Sequence, residues 1–306
     1  MSKYVYGPVP SRRLGKSLGI STIPFKTCDY SCIYCQLGRT TRLTVERKEY
    51  FPLEDIVDEL KENIRLFSFD TVTIIGEGEP TLYSKIGNLI DNIKKLSTKK
   101  CAVITNGSLL WDKNVREELS RADIILPSLD AWNEESFKRI NRPHKSLNFE
   151  KIVEGMITFR KEYKGEIWLE VMLISGLNDA NADLLKIAYW IDKIKPDKVY
   201  INVPIRPPAE PWVRIPNISR IRSAEKILKG IFIGKIPQGS FFSSCSNTFD
   251  AIISIIKRHP MSYDEVVSFS KSRNEDVDDI LEKLQKDPNV EILEIDDKKF
   301  FKYRKR

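Results

Sequence analysis

The stretch Lys26-Thr-Cys-Asp-Tyr-Ser-Cys-Ile-Tyr-Cys-Gln36 brings three cysteines together at Cys28, Cys32 and Cys35. It directly follows a β-branched run at residues 17–23 that we predict to be a strand. Three thiolates on one compact loop can bind three corners of a four-iron cluster and leave the fourth iron open to another ligand. The spacing therefore predicts an iron–sulfur site on this loop.

Zinc is the main alternative for these cysteines, because one histidine would complete a tetrahedral Cys₃His site. The chain contains only His144 and His259, which both lie far from the loop in sequence. Unligated cysteines are the third reading. The two other cysteines, Cys101 and Cys245, stand apart: Cys101 begins an apolar run typical of a core strand, whereas Cys245 lies in a polar loop where a catalytic or ligand role is the less favoured reading.

Beyond the cysteine loop, short β-branched runs alternate with longer helical patterns from about residue 16 to residue 230. This alternation is the signature of βα units around a parallel sheet. Strands are predicted near residues 17–23, 71–76, 100–105, 122–127, 166–174 and 197–203. Helices are predicted at 53–67, 84–96, 110–119, 149–163, 182–194 and 219–230. The sequence therefore predicts an α/β fold with six βα units.

The pattern changes after a polar, aromatic-marked loop, which sets a predicted boundary near 240–248. Three helices at 249–258, 262–270 and 275–286 precede two extended runs, an order typical of a winged helix. We therefore expect a core domain over 1–240 and a winged-helix-like domain over 248–306. Carboxylates crowd the start of its presumed recognition helix, so a structural or partner-docking role is favoured over reading a DNA groove. The basic side chains lie instead on the wing and tail: Lys298, Lys299, Lys302, Arg304, Lys305 and Arg306.

The composition is that of a folded, water-soluble protein. Of 306 residues, 41% are apolar and 30% are charged. The N-terminus lacks the apolar segment of a secretory signal, and no uninterrupted apolar run approaches the roughly 18 residues that span a bilayer. Together with the clustered cysteines, these features predict a cytoplasmic location without membrane attachment.

The formal net charge of +7 is concentrated at the N-terminus. Residues 1–50 carry nine Lys and Arg side chains against three carboxylates, a net charge of +6. This field favours an anionic cofactor or substrate near the cysteine loop, with ordinary solvated surface charge as an equally weighted alternative.

The cysteine spacing, with the aromatic Tyr34 before the last cysteine, resembles that of the radical S-adenosylmethionine (radical SAM) superfamily. After the second predicted strand, Gly76-Glu-Gly-Glu-Pro-Thr-Leu82 is similar to the superfamily's glycine/acid motif, whose backbone and acid bind the methionyl amine. The matching positions are Gly78, Glu79 and Pro80. Taken alone, this stretch could also be a tight βα turn, the less favoured reading.

Later strand ends extend the resemblance. Ile104-Thr-Asn-Gly107 is similar to a turn of the superfamily in which Asn106 would face the cofactor. Pro127-Ser-Leu-Asp130 offers Ser128 and Asp130 for the ribose or the methionyl carboxylate. Each motif alone also fits a turn or a helix cap, but the carboxyl ends of parallel strands assemble the active site of a βα barrel.

Two further stretches complete the candidate site. Glu170-Val-Met-Leu-Ile-Ser-Gly176 resembles the motif that contacts adenine, with Ile174 and Gly176 at the matching positions; a buried strand ending in a turn is the alternative. After the last predicted strand, Arg206 is a candidate clamp for an anionic group and Glu210 a candidate proton carrier, and a surface ion pair in a proline-rich loop is the alternative reading.

The resemblance covers about residues 5–215 and implies a partial, TIM-like (β/α)₆ barrel. It implies a [4Fe–4S] cluster, S-adenosylmethionine (SAM) as its partner, an external one-electron reductant, and reductive cleavage of SAM to a 5′-deoxyadenosyl radical that abstracts hydrogen from a substrate. The resemblance also implies that the amine and the carboxylate of SAM bind the open iron of the cluster.

Gly7-Pro-Val-Pro-Ser-Arg-Arg-Leu-Gly15 and Cys35-Gln-Leu-Gly-Arg-Thr40 resemble a group of uncharacterised iron–sulfur oxidoreductases near the wyosine-tRNA synthases. That neighbourhood suggests RNA or tRNA as the substrate, although residues 1–27 lack the cysteines of those enzymes' second cluster. Two alternatives stand beside it. One is a peptide-modifying or glycyl-radical-activating enzyme with a protein-docking C-terminal domain, and the other is a non-catalytic electron-transfer or sensor protein.

Overall fold

The computed structural model describes residues 3–234, 241–243, 245, 247–295 and 298–304. The strands of its first 234 residues are β1 (Val5–Ser11), β2 (Gly15–Ile20), β3 (Thr27–Cys28), β4 (Arg42–Leu43), β5 (Thr71–Ile74), β6 (Lys100–Thr105), β7 (Ile124–Pro127), β8 (Glu166–Met172), β9 (Lys198–Asn202) and β10 (Ile231–Phe232). The helices are α1 (Leu53–Leu66), α2 (Ile86–Leu96), α3 (Lys113–Leu119), α4 (Glu134–Ile140), α5 (Phe149–Glu162), α6 (Asn181–Ile194) and α7 (Ile218–Leu228), with a 3₁₀ turn at Pro80–Leu82.

An eight-stranded sheet in the order β1-β2-β5-β6-β7-β8-β9-β10 forms the centre of the molecule. From β2 to β10 each neighbouring pair is parallel, and only β1 runs antiparallel. All six strands predicted from the sequence lie in this sheet in the predicted order. The prediction of an α/β fold with a mostly parallel sheet is confirmed.

The sequence pattern did not reveal β1, β10 or α4. β1 contains Gly7, Pro8 and Pro10, which lower strand propensity, but an edge strand tolerates proline because one side of it needs no ladder hydrogen bonds. β10 has only two residues, too few to show a period. The two strands form through tertiary pairing, which local pattern does not encode. The helix α4 has seven residues and begins with a capping box of Asn133 and Ser136.

The two faces of the sheet differ. On one face, Val72, Val103 and Ile125 belong to the main apolar core and are fully buried together with Ile56 and Leu60 of α1. Burying one such side chain stabilises the fold by about 2 kcal/mol. A smaller apolar cluster joins Leu14 of the β1–β2 turn to alternate residues of the strands: Ala102, Ile124, Leu126, Trp168 and Tyr200. The β1–β2 turn thus packs on the opposite face.

The C-terminal residues form a separate small module with its own apolar core. It contains α8 (Thr248–Ile256), β11 (Met261–Ser262), α9 (Tyr263–Ser272), α10 (Val277–Lys286), β12 (Val290–Ile295) and β13 (Lys298–Tyr303). Its antiparallel sheet has the order β11-β13-β12. The predicted boundary at 240–248 lies partly outside the described residues, as do Lys305 and Arg306 of the predicted basic tail.

The C-terminal module packs against the first strand and the loops of the main sheet. Phe242 donates its backbone N–H to the Pro8 carbonyl at 3.0 Å, and Arg258 donates to the Lys3 carbonyl at 2.9 Å. Val9 of β1 packs against the module's core. Among the residues described, no helix is long and apolar enough to cross a membrane.

Candidate functional site

The cysteine loop lies at the carboxyl ends of β2 and β5. Lys26 N–H donates to the Glu77 carbonyl at 2.6 Å, and Glu79 N–H donates to the Thr27 carbonyl at 3.2 Å. Between these bonds, a Cβ placed on Gly78 would lie 1.7 Å from the Thr27 carbonyl oxygen. Only glycine fits this position, so the glycine/acid motif serves first as the backbone surface on which the cysteine loop rests.

The three thiols are unpaired and half-buried. Tyr30 N–H donates to Cys28 Sγ at 3.4 Å, and the Asn141 amide donates to Cys32 Sγ at 3.6 Å. Donors of this kind stabilise a thiolate bound to metal and tune a cluster's potential. Burial is the main cause that raises the pKa of all three thiols, and for Cys28 the charge of Asp29 adds to it. The thiols therefore stay protonated until a cation displaces their protons.

Glu79 is buried and fully engaged by protein donors. Its carboxylate accepts from the Thr81 backbone at 2.9 Å, from the Thr81 and Thr105 hydroxyls at 2.6 Å each, and from Asn106 N–H at 2.7 Å. Burial raises its pKa, and these hydrogen bonds oppose the shift. The acid of the motif thus joins the end of β5 to the end of β6.

Asp29, which the sequence reasoning did not single out, joins the cysteine loop to the same strand end. Its carboxylate accepts from the Asn106 amide at 2.6 Å and from the Ser108 hydroxyl. Burial, and then the charge of Glu79, raise the pKa of Asp29 to about 7. Its place inside the cysteine motif is the only sequence signal that pointed to it. Asn106 does face the site, and it contacts this carboxylate.

Asp130 holds the other side of the loop. It accepts from the Tyr34 hydroxyl at 2.5 Å, from the Asn141 amide at 2.8 Å and from Met172 N–H at 2.8 Å. Burial is the main cause that raises its pKa. The aromatic residue of the cysteine motif is thereby tied to the ends of β7 and β8. Neither Asn141 nor this bond was apparent from the sequence.

The remaining predicted cofactor residues lie around the same strand ends. Ser128 is half-buried beside Glu170, and its hydroxyl makes no hydrogen bond within the described part of the chain. Ile174 is fully buried in a small apolar cluster that includes Ile33 of the cysteine loop. Gly176 has a φ of +71°, and the space where its Cβ would stand is open.

Arg206 and Glu210, the candidate catalytic residues, both lie in ion pairs. Arg206 is 4% exposed and donates both terminal nitrogens to Glu265 of the C-terminal module. Glu210 accepts from Arg39 at 2.9 Å and from Arg142. The Arg39 hydrogen bond, with help from Arg142, lowers the pKa of Glu210 to about 2. Such a carboxylate is a poor proton acceptor at neutral pH.

The other two cysteines lie elsewhere. Cys101 is fully buried in β6, as expected of a core residue. Cys245 packs against the core of the C-terminal module, and its carbonyl accepts from Arg273 at 2.7 Å. Among the described residues, no three His, Cys, Asp or Glu side chains converge on a single ion. A four-iron cluster does not require such convergence, because its thiolates bind different iron atoms.

Comparisons with known proteins match this arrangement. A model described as the radical SAM superfamily matches residues 22–188. A UPF0026 protein of Methanocaldococcus jannaschii is 37% identical over 97% of this chain and 94% of that protein. A protein named GTPase Obg from Brachyspira hyodysenteriae is 38% identical over 93% of this chain, which spans 42% of that protein's length. A solved radical SAM methyltransferase from Sphaerobacter thermophilus shares the fold, with a TM-score of 0.56 and 17% identity over 73% of this chain and 67% of that one.

Proposed function

The chain belongs to the radical SAM superfamily and to the UPF0026 proteins, and from that premise we propose that Cys28, Cys32 and Cys35 bind the superfamily's [4Fe–4S] cluster. That cluster and SAM are the cofactors of the superfamily, and together they supply a 5′-deoxyadenosyl radical that abstracts hydrogen. The observation that carries the proposal is the set of N–H donors to sulfur, from Tyr30 and Asn141, on a loop that two buried carboxylates fix in place.

The chain's own residues position the cofactors in this proposal. Asp29 and Asp130 hold the cysteine loop against the strand ends, so the thiols keep their spacing before the metal arrives. The carboxylates of Glu79 and Asp130 accept hydrogen bonds from protein groups, which favours a positioning role for both. Ser128 and Gly176 keep an open hydroxyl and an open backbone face, and we assign them, with Ile174, to contacts with SAM.

The domain arrangement belongs to the proposal as well. The order of helix, strand, two helices and two-stranded wing favours a winged helix for residues 248–306, after a core over 1–240 that we interpret as a partial (β/α)₆ barrel. Asp276 caps the start of α10, and Asp278 and Asp279 lie in its first turn, so phosphates would be repelled at that helix. We therefore assign the module to packing on the barrel or to docking a partner.

An external one-electron reductant and a substrate complete the proposal. Lys26 and Lys302 lie beside Gly38 of the cysteine loop. Their Nζ atoms are 3.0 and 3.7 Å from the position that a Cβ added to Gly38 would occupy. Their charges favour an acidic reductant at this edge. We place the protein in the cytoplasm. RNA or tRNA stays our first hypothesis for the substrate, and a protein is the second. Recovery of a protein and no RNA with the purified enzyme would favour the second.

The cysteine assignment is tested by comparing Cys32→Ala with Cys245→Ala after anaerobic reconstitution with iron and sulfide. We expect Cys32→Ala to lose the cluster absorbance and the release of 5′-deoxyadenosine from SAM under a strong reductant. Cys245→Ala should keep both, because that cysteine packs in the C-terminal module. If Cys32→Ala keeps both signals, the site assignment is wrong. If the unaltered protein binds a cluster but releases no 5′-deoxyadenosine, the non-catalytic alternative is correct.

A further inference from the structure

A group of basic side chains lies where the carboxyl ends of β8 and β9 meet the C-terminal module. Three guanidinium groups and one imidazole belong to it: Arg12, Arg13, Arg206 and His259. The first two come from the β1–β2 turn, Arg206 from the loop after β9, and His259 from the segment after α8. We call this group the arginine recess.

Two of the three guanidinium groups have a carboxylate partner. The pairs are Arg13 with Glu170, and Arg206 with Glu265. The side chains of the first pair are 12% and 15% exposed, and those of the second pair 4% and 9%. Both pairs lie largely inside the molecule, and Arg13 Nε and Nη1 and Glu170 Oε2 are closed off from solvent.

Arg12 is the third guanidinium. Its Nη1 donates to Asn202 Oδ1 at 2.7 Å and to the Ile233 carbonyl at 2.6 Å, both neutral acceptors. No carboxylate within the described residues pairs with it, and its Nε and Nη2 make no hydrogen bond there. Neither of these two nitrogens is closed off from solvent. Arg12 therefore presents unused N–H donors and an uncompensated charge to accessible space.

The neighbours of Arg12 add to the positive field. Burial and then the nearby charge of Arg206 lower the pKa of Arg12 to about 10, so it stays cationic at neutral pH. Burial, and then Arg206 and Arg12, lower the pKa of His259. A neutral His259 still offers one N–H donor. Three arginines against two carboxylates leave the recess one negative charge short of balance.

The recess adjoins the candidate cofactor site through β8. Arg13 pairs with Glu170, and two residues further along β8 Met172 donates its N–H to Asp130, which holds Tyr34 of the cysteine loop. Asn202, the acceptor for Arg12, ends β9 and also donates to Glu170 at 3.0 Å. In a parallel βα sheet, ligands bind at these carboxyl ends.

We propose that the arginine recess binds a compact anionic group of the substrate, a carboxylate or a phosphate, through Arg12 and His259. Arg12 supplies a charged fork for two oxygens of the anion, and His259 supplies a neutral donor from the C-terminal module. The module thereby contributes to the substrate site. Only the identification of the anion as part of the substrate rests on the proposed function, because the anion site itself does not require SAM cleavage.

The test uses the reconstituted full-length protein with saturating SAM, which keeps the probes off the cluster. Inorganic phosphate and acetate are titrated separately in a chloride-free buffer, with ³¹P NMR line widths for phosphate and ¹H saturation transfer for acetate. We expect saturable binding of at least one probe, and the tighter one identifies the anion class. Arg12→Gln should weaken that binding by about tenfold or more, the loss typical of a charge-assisted hydrogen bond. Arg65→Gln, at an exposed position on α1, should leave it unchanged.

His259→Ala provides a second variant that keeps the Arg12 hydrogen bonds to Asn202 and Ile233. It should weaken binding of the same probe, so the proposal stays testable if Arg12→Gln does not fold. The proposal is overturned if neither probe binds saturably, or if a folded Arg12→Gln or His259→Ala protein binds as tightly as the unaltered one. Release of 5′-deoxyadenosine without anion binding would refute this inference alone, whereas anion binding without that release would refute the proposed function alone.

Discussion

Glu210 joins three loops at the scale of a single residue. Its carboxylate accepts from Arg39 of the cysteine loop and from Arg142, and its own N–H donates to the Ile33 carbonyl at 3.0 Å. The hydrogen bond from Arg39, assisted by Arg142, holds its pKa at about 2. The sequence left two readings of Glu210, a candidate proton carrier and an ion pair in a proline-rich loop. Its contacts favour the ion pair, and a role in fixing the cysteine loop fits it better.

The stability that Glu210 provides should depend on pH. A carboxylate whose pKa is depressed on folding stabilises the native state above its unfolded pKa of about 4.3, and this contribution disappears as the pH falls toward the folded value. We expect Glu210→Gln to lower the free energy of unfolding of the metal-free protein at pH 7. The difference from the unaltered protein should shrink steadily between about pH 4.3 and about pH 2. Urea unfolding across this range measures it, and a difference that does not change with pH would refute the ion-pair interpretation.

Gly78 gives a steric prediction at the same scale. A methyl group there would collide with the Thr27 carbonyl, so Gly78→Ala should push the cysteine loop off the strand ends. We expect a loss of about 1–3 kcal/mol of stability, as for other overpacked sites, and less iron bound after reconstitution. Gly87→Ala is the control, since its added Cβ would meet only side chains, those of Glu118 at 3.0 Å and Arg121 at 3.3 Å. Thermal unfolding and iron analysis check both; equal iron content in the two variants would contradict the prediction.

Individual residues were predictable from the sequence where a motif fixes them through local spacing. Asn106 and Tyr34 lie among the strand ends beside the cysteine loop, where they bond Asp29 and Asp130, and their contacts with a cofactor stay predictions. Asp29 and Asn141 were missed because their roles depend on which strand ends the sheet brings together, and a lone Asp or Asn next to a motif has many ordinary uses. The partners of Asp130 were missed for the same reason.

At the scale of elements, hydrophobic periodicity located the strands and helices that lie in repeated βα units. It did not locate the two-residue strand β11, which forms by pairing with Phe300 and Phe301 of β13. The loops were also beyond periodicity, because their course depends on buried ion pairs such as the one between Arg206 and Glu265. That pair joins residues 59 positions apart in the chain.

The Arg206–Glu265 pair gives a prediction about how α9 is attached to the sheet. Breaking a buried pair from one side leaves an uncompensated charge, which costs about 3–5 kcal/mol. We expect both Arg206→Met and Glu265→Gln to destabilise the protein by this order. The double variant should be less destabilised than the sum of the two, because it leaves no lone charge. Denaturant unfolding of the four proteins measures the coupling, and strictly additive effects would show that the pair does not join the two elements.

At the scale of the whole molecule, the C-terminal module covers one side of the cysteine loop. The Gln36 amide donates to the Arg258 carbonyl at 3.5 Å, and the Lys302 ammonium lies 3.7 Å from the place of a Cβ on Gly38. Burial, and then the charge of the neighbouring Lys26, lower the pKa of Lys302. Its ammonium is thus partly shielded from water. The module therefore restricts the access of solvent and oxygen to the loop.

Removal of the module should expose the cluster that we propose on this loop. A chain that ends at residue 234 would lose the cover over Gln36 and Gly38, and after anaerobic reconstitution its cluster absorbance should decay several-fold faster in air. A chain that ends at Tyr303 keeps α8 through β13 and should decay at the rate of the full protein. If the shorter chain does not fold, Arg258→Gln in the full chain removes the ion pair with Glu77 and should accelerate the decay to a smaller degree. Equal decay rates in all four proteins would show that the module does not shield the cluster. Its part in the arginine recess would then be the only role that we propose for it in the reaction.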